Sequence, residues 1–340
     1  MKTFIHYETK NDNAVFEGAR MRKTLKGACE EAGIDWVDSR QEGAEISHFI
    51  SPRDYRIAAS EKERGSKVVV SAFYTENDPN ASFFKELWNG KEKLSAKAKK
   101  ILTIADLILV PSIAMKQFIE PMGFNGRIEV LRPTVNLARF SRTSNEANIF
   151  PRYFGLKEAT PTVITSGSYA DVKTLTFIKN LAKACPKIQF YFFGSLPKSD
   201  PIGVAKIAAN ISKPRNLTFL KAVQDDIFRS GILYSMAYIA TASIRPDAIH
   251  PLEAFAAETQ VVTIGTPLSD GENRLLSEGK TCFYFDTPEK MAKYLIALQS
   301  NAATTTVVPA YSVAKSHSLP HFGKKLKEFY ESIFEKEVQP

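Results

Sequence analysis

Residues 238–264 read YIATASIRPDAIHPLEAFAAETQVVTI, and the fold of the chain's second half is read outward from them. The apolar run that starts at Tyr238 stops by Ser243. The polar, proline-broken SIRPDAIHP then leads into the helix formers LEAFAAE, and VVTI resumes a β-rich pattern. The spacing predicts a buried strand, a loop, a helix carrying Glu253 and a second buried strand. The backbone N–H groups of Ile249 to Glu253 then open a helix, where donors lack intrahelical acceptors. Such groups attract phosphate or sugar oxygens at the carboxyl edge of a parallel sheet.

Similar units lie upstream. TPTVITSGSYADVKTLTFIKNLAKAC (160–185) predicts a strand, a turn at Gly167-Ser168 and a helix; IQFYFFGS (188–195) and LTFLKAV (217–223) predict further strands. DDIFRSGILYSMA precedes the 238–264 unit as a helix, and residues 266–298 continue the α/β alternation. The polar, aperiodic SRTSNEAN (141–148) reads as a linker.

The first half alternates in the same way. KTFIHYE, IDWVD, AEISHFIS, VVVSAFY, ADLILVPS and RIEVLRP read as strands, with helices over FEGARMRKTLKGACEEAGI, PRDYRIAASEKERGS and KQFIEPMGF. This pattern indicates parallel sheets covered on both faces. Gly18, near the first strand-to-helix turn, would allow close backbone approach to a ligand or simply serve the turn. His48, in EISHFIS, is either a core histidine or a residue at the sheet's open edge. FFKELWNGKEKLSAKAKKIL (83–102) reads as one basic amphipathic helix, with Lys91, Lys93, Lys97, Lys99 and Lys100 among Phe83, Phe84, Trp88 and Leu94. Two readings of it stand: a helix lying on an anionic membrane surface, or a solvated lysine face whose aromatic residues pack inside.

With 340 residues, two domains of ordinary size are expected, and the 44% hydrophobic and 24% charged content is that of a soluble globular protein. The N-terminus lacks the apolar core of a signal peptide and no run of about 18 apolar residues occurs, so a cytoplasmic protein is expected. Its three cysteines show no metal-ligand spacing and read as reduced core thiols. A net charge of +8 suits an anionic partner or solubility alone. The aromatic residues form no stacking platform, so nucleic acid is not expected as a partner.

The 238–264 stretch resembles the donor-sugar loop of retaining, two-domain (GT-B) nucleotide-sugar glycosyltransferases of family 4. In that family two glutamates are separated by seven intervening residues ahead of an Ala; here Glu253, in LEAFA, holds the second place and Arg245 the first. The nearest resemblance is to bacterial glycosyltransferases that elongate glucosyl-diacylglycerol, whose loop carries an extra acid where Asp247 stands. ADLILVPS, with Pro133, Val135, Asn136 and Phe140, resembles the family's segment leading into the linker. In the stretch after the fourth strand, Thr75, Glu76 and Asp78 match the glycolipid enzymes, while Ser71 and Phe73 replace two histidines. The diphosphate-binding turn keeps Lys173 but has Val172 in place of an arginine.

The resemblance implies an α/β chain of two Rossmann-like doubly wound parallel-sheet domains facing a cleft. It implies an acceptor-side domain over 1–140, a nucleotide-sugar domain over 141–318, and a helix over 319–340 crossing back to the first. It implies hexose transfer from a UDP-sugar, as co-substrate, to a glycolipid or other glycan acceptor at the inner membrane face, without a metal or other cofactor. Asp247 and Glu253 would be the catalytic pair. Gly167, Ser168, Lys173, Lys221, Val223, Ile249 and His250 would join them in holding the donor. Gly18, His48, Thr75, Glu76 and Asp78 would line the acceptor side, with Trp88 and the lysines on the membrane. The departures at Ser71, Phe73, Val172 and Arg245 leave a second implication, a non-catalytic partner protein of the same fold, and an enzyme with a polysaccharide, teichoic-acid or protein acceptor would share the same donor site.

Overall fold

The structure, a computed structural model, describes residues 1–7, 17–39, 43–74, 82–86, 92–140, 148–169, 171–195, 213–221, 223–241, 249–265 and 275–335. They form two units: Met1–Thr134 with His317–Pro340, and Val135–Ser316.

In the first unit, β1 (Lys2–His6), β2 (Asp35–Val37), β3 (Ile46–Phe49), β4 (Lys67–Ser71), β7 (Leu107–Val110) and β8 (Arg127–Val130) build one parallel sheet in the order β2-β1-β3-β4-β7-β8. Runs such as LILV and VVV are buried throughout, as strands covered on both faces must be. Helices α1 (Glu17–Ala32), α2 (Tyr55–Glu63), α3 (Ala96–Ile104) and α4 (Ile113–Ile119) connect them. Gly33, at φ +63°, ends α1 in the left-handed conformation that suits glycine. A small antiparallel pair, β5 (Phe84–Glu86) with β6 (Glu92–Leu94), stands apart from the main sheet.

That pair corrects the expectation of a single basic helix over 83–102. Phe84 pairs with Leu94 and Lys85 with Lys93, and the helix starts only at Ala96, capped by the Ser95 side chain on the Ala98 N–H. Phe83 and Leu94 lie in the core with Ala98, Ile101 and Leu102 rather than on an outward face. Lys93, Lys97, Lys99 and Lys100 are exposed. Trp88 and Lys91 lie outside the described residues.

The second unit has strands β9 (Thr162–Ser168), β10 (Gln189–Ser195), β11 (Leu217–Lys221), β12 (Ala237–Ala240), β13 (Gln260–Ile264) and β14 (Phe283–Phe285), all parallel, in the order β11-β10-β9-β12-β13-β14. Renumbered within the unit this is 3-2-1-4-5-6, the dinucleotide-binding order. Its helices are α5 (Ile149–Tyr153), α6 (Val172–Ala184), α7 (Asp225–Tyr234), α8 (Ile249–Ala256), α9 (Pro288–Gln299) and α10 (Val307–Ser316). The division falls at Thr134, earlier than the expected 140, because Val135 and Phe140 pack into the core of the second unit with Phe150, Ile227 and Leu252.

The terminal helix α11 (Leu319–Glu335) lies against α1 in the first unit, burying Leu319, Phe322, Leu326, Phe329 and Tyr330 beside Leu25 and Cys29. Gly323 makes the approach close: a Cβ there would fall 2.3 Å from the Ala28 carbonyl oxygen.

Candidate functional site

In an open α/β sheet, ligands bind outside the carboxyl ends of the strands where the connections reverse direction. In the second unit that place is between β9 and β12, which pair directly through Val163–Ala237, Ile164–Tyr238 and Thr165–Ile239. Five of the expected donor-side positions converge on this edge: Gly167 and Ser168 close β9, Lys173 stands in the first turn of α6, and His250 and Glu253 ride on α8. Gly167 and Ser168 belong to the strand, paired with Gly194 and Ser195, and the turn comes after them. The space over Gly167 is bounded by Phe192 and by Thr241, just beyond β12.

A polar cluster holds His250. Its Nδ1 lies 3.0 Å from the Ser166 hydroxyl, which is itself 2.8 Å from the Tyr238 hydroxyl, and its ring packs edge-on to Phe228. The imidazole, 9% exposed, is thereby fixed at the mouth of α8. Glu253 follows one turn later and is only 4% exposed, in a helix that buries seven of its eight residues. It is an inward carboxylate rather than a rim residue. Ile249 opens the helix, half-buried.

The turn between β9 and α6 is built by Asp171, whose carboxylate accepts from the Thr174 N–H at 3.0 Å and from its hydroxyl at 2.6 Å. This N-cap fixes the start of α6 and places a negative charge where an anion would approach. Lys173 stands exposed two residues on. Val172, at the arginine place, is 46% exposed and contributes no charge. Tyr169 donates its hydroxyl to the Leu220 carbonyl at 2.6 Å, so the tip of β9 is tied to β11. Burial raises the Tyr169 phenol well above its ordinary pKa, keeping it a neutral donor. Lys221 ends β11, its backbone paired with Gly194, and Val223 packs half-buried against the core. Asp247 and Arg245 lie outside the described residues. Nothing local in the sequence marks Ser166, Tyr238 or Tyr169, because their roles arise from neighbouring strands.

The acceptor-side expectations fare differently. Gly18 lies inside α1, and the ring of Tyr7 fills the space beside it: a Cβ would fall 2.4 Å from that ring, so its smallness serves packing and not ligand approach. His48 is fully buried, with Nδ1 2.5 Å from the Tyr330 hydroxyl and Nε2 2.7 Å from Ser71 Oγ. Burial pushes its imidazole down to about 3, so it is a neutral core residue and not an acceptor contact. Phe73, at the second histidine place, takes φ 69° and is enclosed by Phe83 and Phe84. Thr75, Glu76 and Asp78 lie outside the described residues.

Among the described residues no three His, Cys, Asp or Glu side chains gather as a metal cage would require, and no helix is long and apolar enough to cross a membrane. All three cysteines are buried and free.

No family model matches the chain. Over 316 residues, covering 91% of this chain and 91% of the relative, it is 22% identical to the processive diacylglycerol alpha-glucosyltransferase of Acholeplasma laidlawii. Among solved structures, HepE of Anabaena in complex with UDP and glucose superposes with a TM-score of 0.65 at 13% identity, over 97% of this chain and 99% of that one. A sucrose-phosphate synthase of Thermosynechococcus elongatus gives 0.61 at 11% identity, over 97% and 81%. The two parallel-sheet units are thus the GT-B fold of glycosyltransferases, and the chain is similar to a lipid glucosyltransferase over nine tenths of its length.

Proposed function

We propose that this protein is a retaining hexosyltransferase that moves a hexose from a UDP-sugar to a membrane glycolipid, of the kind represented by monoglucosyl-diacylglycerol. The observation that carries the reading is the convergence of Gly167, His250 and Glu253 at the switch point of a 3-2-1-4-5-6 sheet. Its support from relatives is a curated protein named for diacylglycerol glucosylation and a structural neighbour holding UDP and glucose.

In this reading the first-turn N–H groups of α6 and the Lys173 ammonium take the diphosphate, whose growing charge as the sugar leaves is the chief demand on the site. Glu253 accepts from the ribose hydroxyls. His250, held by Ser166 and through it by Tyr238, presents its ring to the sugar. The exposed lysines of β6 and α3 hold the first unit on anionic headgroups, at about 1 kcal/mol for each lysine near the surface.

The test is incubation with radiolabelled UDP-glucose or UDP-galactose and vesicles containing monoglucosyl-diacylglycerol. Labelled glycolipid supports the proposal; none with any common donor sinks it. Val172 and Arg245, which remove expected polar contacts, favour a second reading as a non-catalytic partner of the same fold. Calorimetry separates the two, since a transferase binds UDP and a protein that has lost the donor site does not.

A further inference from the structure

Tyr55 opens α2 directly after the 3-10 turn Pro52–Asp54, and its half-buried ring packs on the core that α3 shares with the sheet. Several cations gather on it. The Arg56 Nε–H donates to the Tyr55 hydroxyl at 3.2 Å, and the Arg56 Cζ lies 5.8 Å from the ring centroid. Lys100 reaches across from α3 and holds its Nζ 5.0 Å from the same centroid. Lys97 stands one turn before Lys100, on the same side of α3. The hydrogen bond from Arg56, followed by the charges of Arg56, Lys100 and Lys97, holds the phenol below its ordinary pKa, so these cations act at one point.

No acid neutralises them. Among the described residues, no carboxylate lies within ion-pair distance of Arg56, Lys97 or Lys100. Asp54, the acid beside Tyr55 in the chain, is 5% exposed and lies 3.6 Å from His6 Nε2 instead. Other lysines of the unit do meet acids: Lys26 reaches Asp38 at 3.0 Å, and Lys62, in the last turn of α2, reaches Asp106 at 3.1 Å. Like charges repel, and long exposed side chains are free to spread into water. Their meeting on one packed ring is accounted for by a negative guest.

The chemistry of the cluster selects that guest. The phenol accepts from Arg56 and keeps its own O–H to give, the guanidinium keeps its Nη donors, and both ammonium groups only donate. A fitting partner is negative, accepts without donating, and offers oxygens in several directions. A phosphate group does so from the corners of a tetrahedron, whereas a carboxylate has its oxygens in one plane.

We infer that Tyr55, Arg56, Lys97 and Lys100 form a binding site for a phosphate group, carried by a phospholipid headgroup or by a soluble phosphate ester. The site goes beyond the transferase reading, in which these lysines only attract an anionic surface, and does not depend on it.

The experiment uses the full-length protein with glycerol 1-phosphate in calorimetry and phosphatidylglycerol vesicles in sedimentation. Tyr55→Phe keeps every charge and removes one hydroxyl, which a diffuse attraction cannot sense and a built site can. Arg56→Gln and Lys100→Gln each remove a charge from the cluster, and Lys183→Gln removes one from the exposed surface of the other unit. The first three variants are expected to weaken binding of at least one probe about tenfold, as loss of one hydrogen bond to a charged group requires, and Lys183→Gln to change neither beyond about twofold. Losses confined to the vesicles assign the site to a headgroup; losses with glycerol 1-phosphate assign it to soluble esters. No binding of either probe by the wild type, binding unchanged in Tyr55→Phe, or an equal loss in Lys183→Gln overturns the assignment. Should Tyr55→Phe fail to fold, Arg56→Gln against Lys183→Gln decides the same question, since both positions are exposed.

Discussion

The Nδ1 of His48 and the hydroxyl of Tyr330 meet at 2.5 Å across 282 positions of sequence, and Ser71 closes the other side of the ring at 2.7 Å. The imidazole is the hinge pin between the central sheet of the first unit and its terminal helix. It holds that place only as a neutral ring.

A pH dependence follows. The unfolded histidine takes its proton near pH ~6.5, whereas burial delays this to about 3 in the folded chain. The unfolded state therefore binds more protons across that window. Stability from this group is complete above pH ~6.5 and falls as the pH drops towards ~3, by about 1.4 kcal/mol per unit. Burial lowers His317 as well, adding the same sign. Urea unfolding at a series of pH values should show the slope, and His48→Gln should flatten it. An unchanged slope in that variant refutes the account.

The closeness of α11 to α1 predicts a contrast between two glycines. Gly323→Ala drives a Cβ to 2.3 Å from the Ala28 backbone oxygen, which cannot step aside without separating the helices. A loss of roughly 1–3 kcal/mol is expected. Gly27→Ala meets only Leu319, at an ordinary 3.4 Å, and gains helix propensity. Urea midpoints of the two variants should move in opposite directions.

Glu253→Gln keeps the shape of a buried side chain and removes its charge. If that carboxylate accepts from ribose, the Kd for UDP should rise about tenfold or more, with the melting temperature near wild type. Ser166→Ala, which releases His250 Nδ1, should cost about two- to fivefold in KM for the UDP-sugar. Calorimetry and donor titrations read both effects.

Lys97, Lys99 and Lys100 share the exposed side of α3. Their joint replacement by Gln should weaken sedimentation with phosphatidylglycerol vesicles about 100-fold, from about 1 kcal/mol per lysine. Binding unchanged by the triple variant would place the membrane contact elsewhere.

Much of the fold was legible because strand and helix periods differ: LILV, VVV and VVTI are too short and too apolar for anything but covered strands, and LEAFAAE follows them with a helical composition. The 83–102 stretch misled because lysines and aromatic residues at mixed spacing fit a helix and a hairpin alike. Asn89-Gly90 is a hairpin signal that outweighs it. Helix α10 went unmarked, with Pro309 obscuring its start. At the candidate site, Glu253, His250 and Gly167 were singled out by local pattern together with the family resemblance. Ser166 and Tyr238 were not, since strand order decides which residues share an edge and strand order is not written locally. His48 carried the opposite lesson: a histidine beside an apolar strand was a core group whose partner, Tyr330, lay at the far end of the sequence.

The return of α11 to α1 has a consequence for synthesis. The earlier-made part of the first unit must wait, because its remaining piece, from His317 on, is made only after the whole of Val135–Ser316. The continuous segment from Val135 to Ser316 has every strand it needs beforehand and can settle while the earlier-made half is still open. A premature stop near residue 317 would thus spare the later-made domain and ruin the one translated before it.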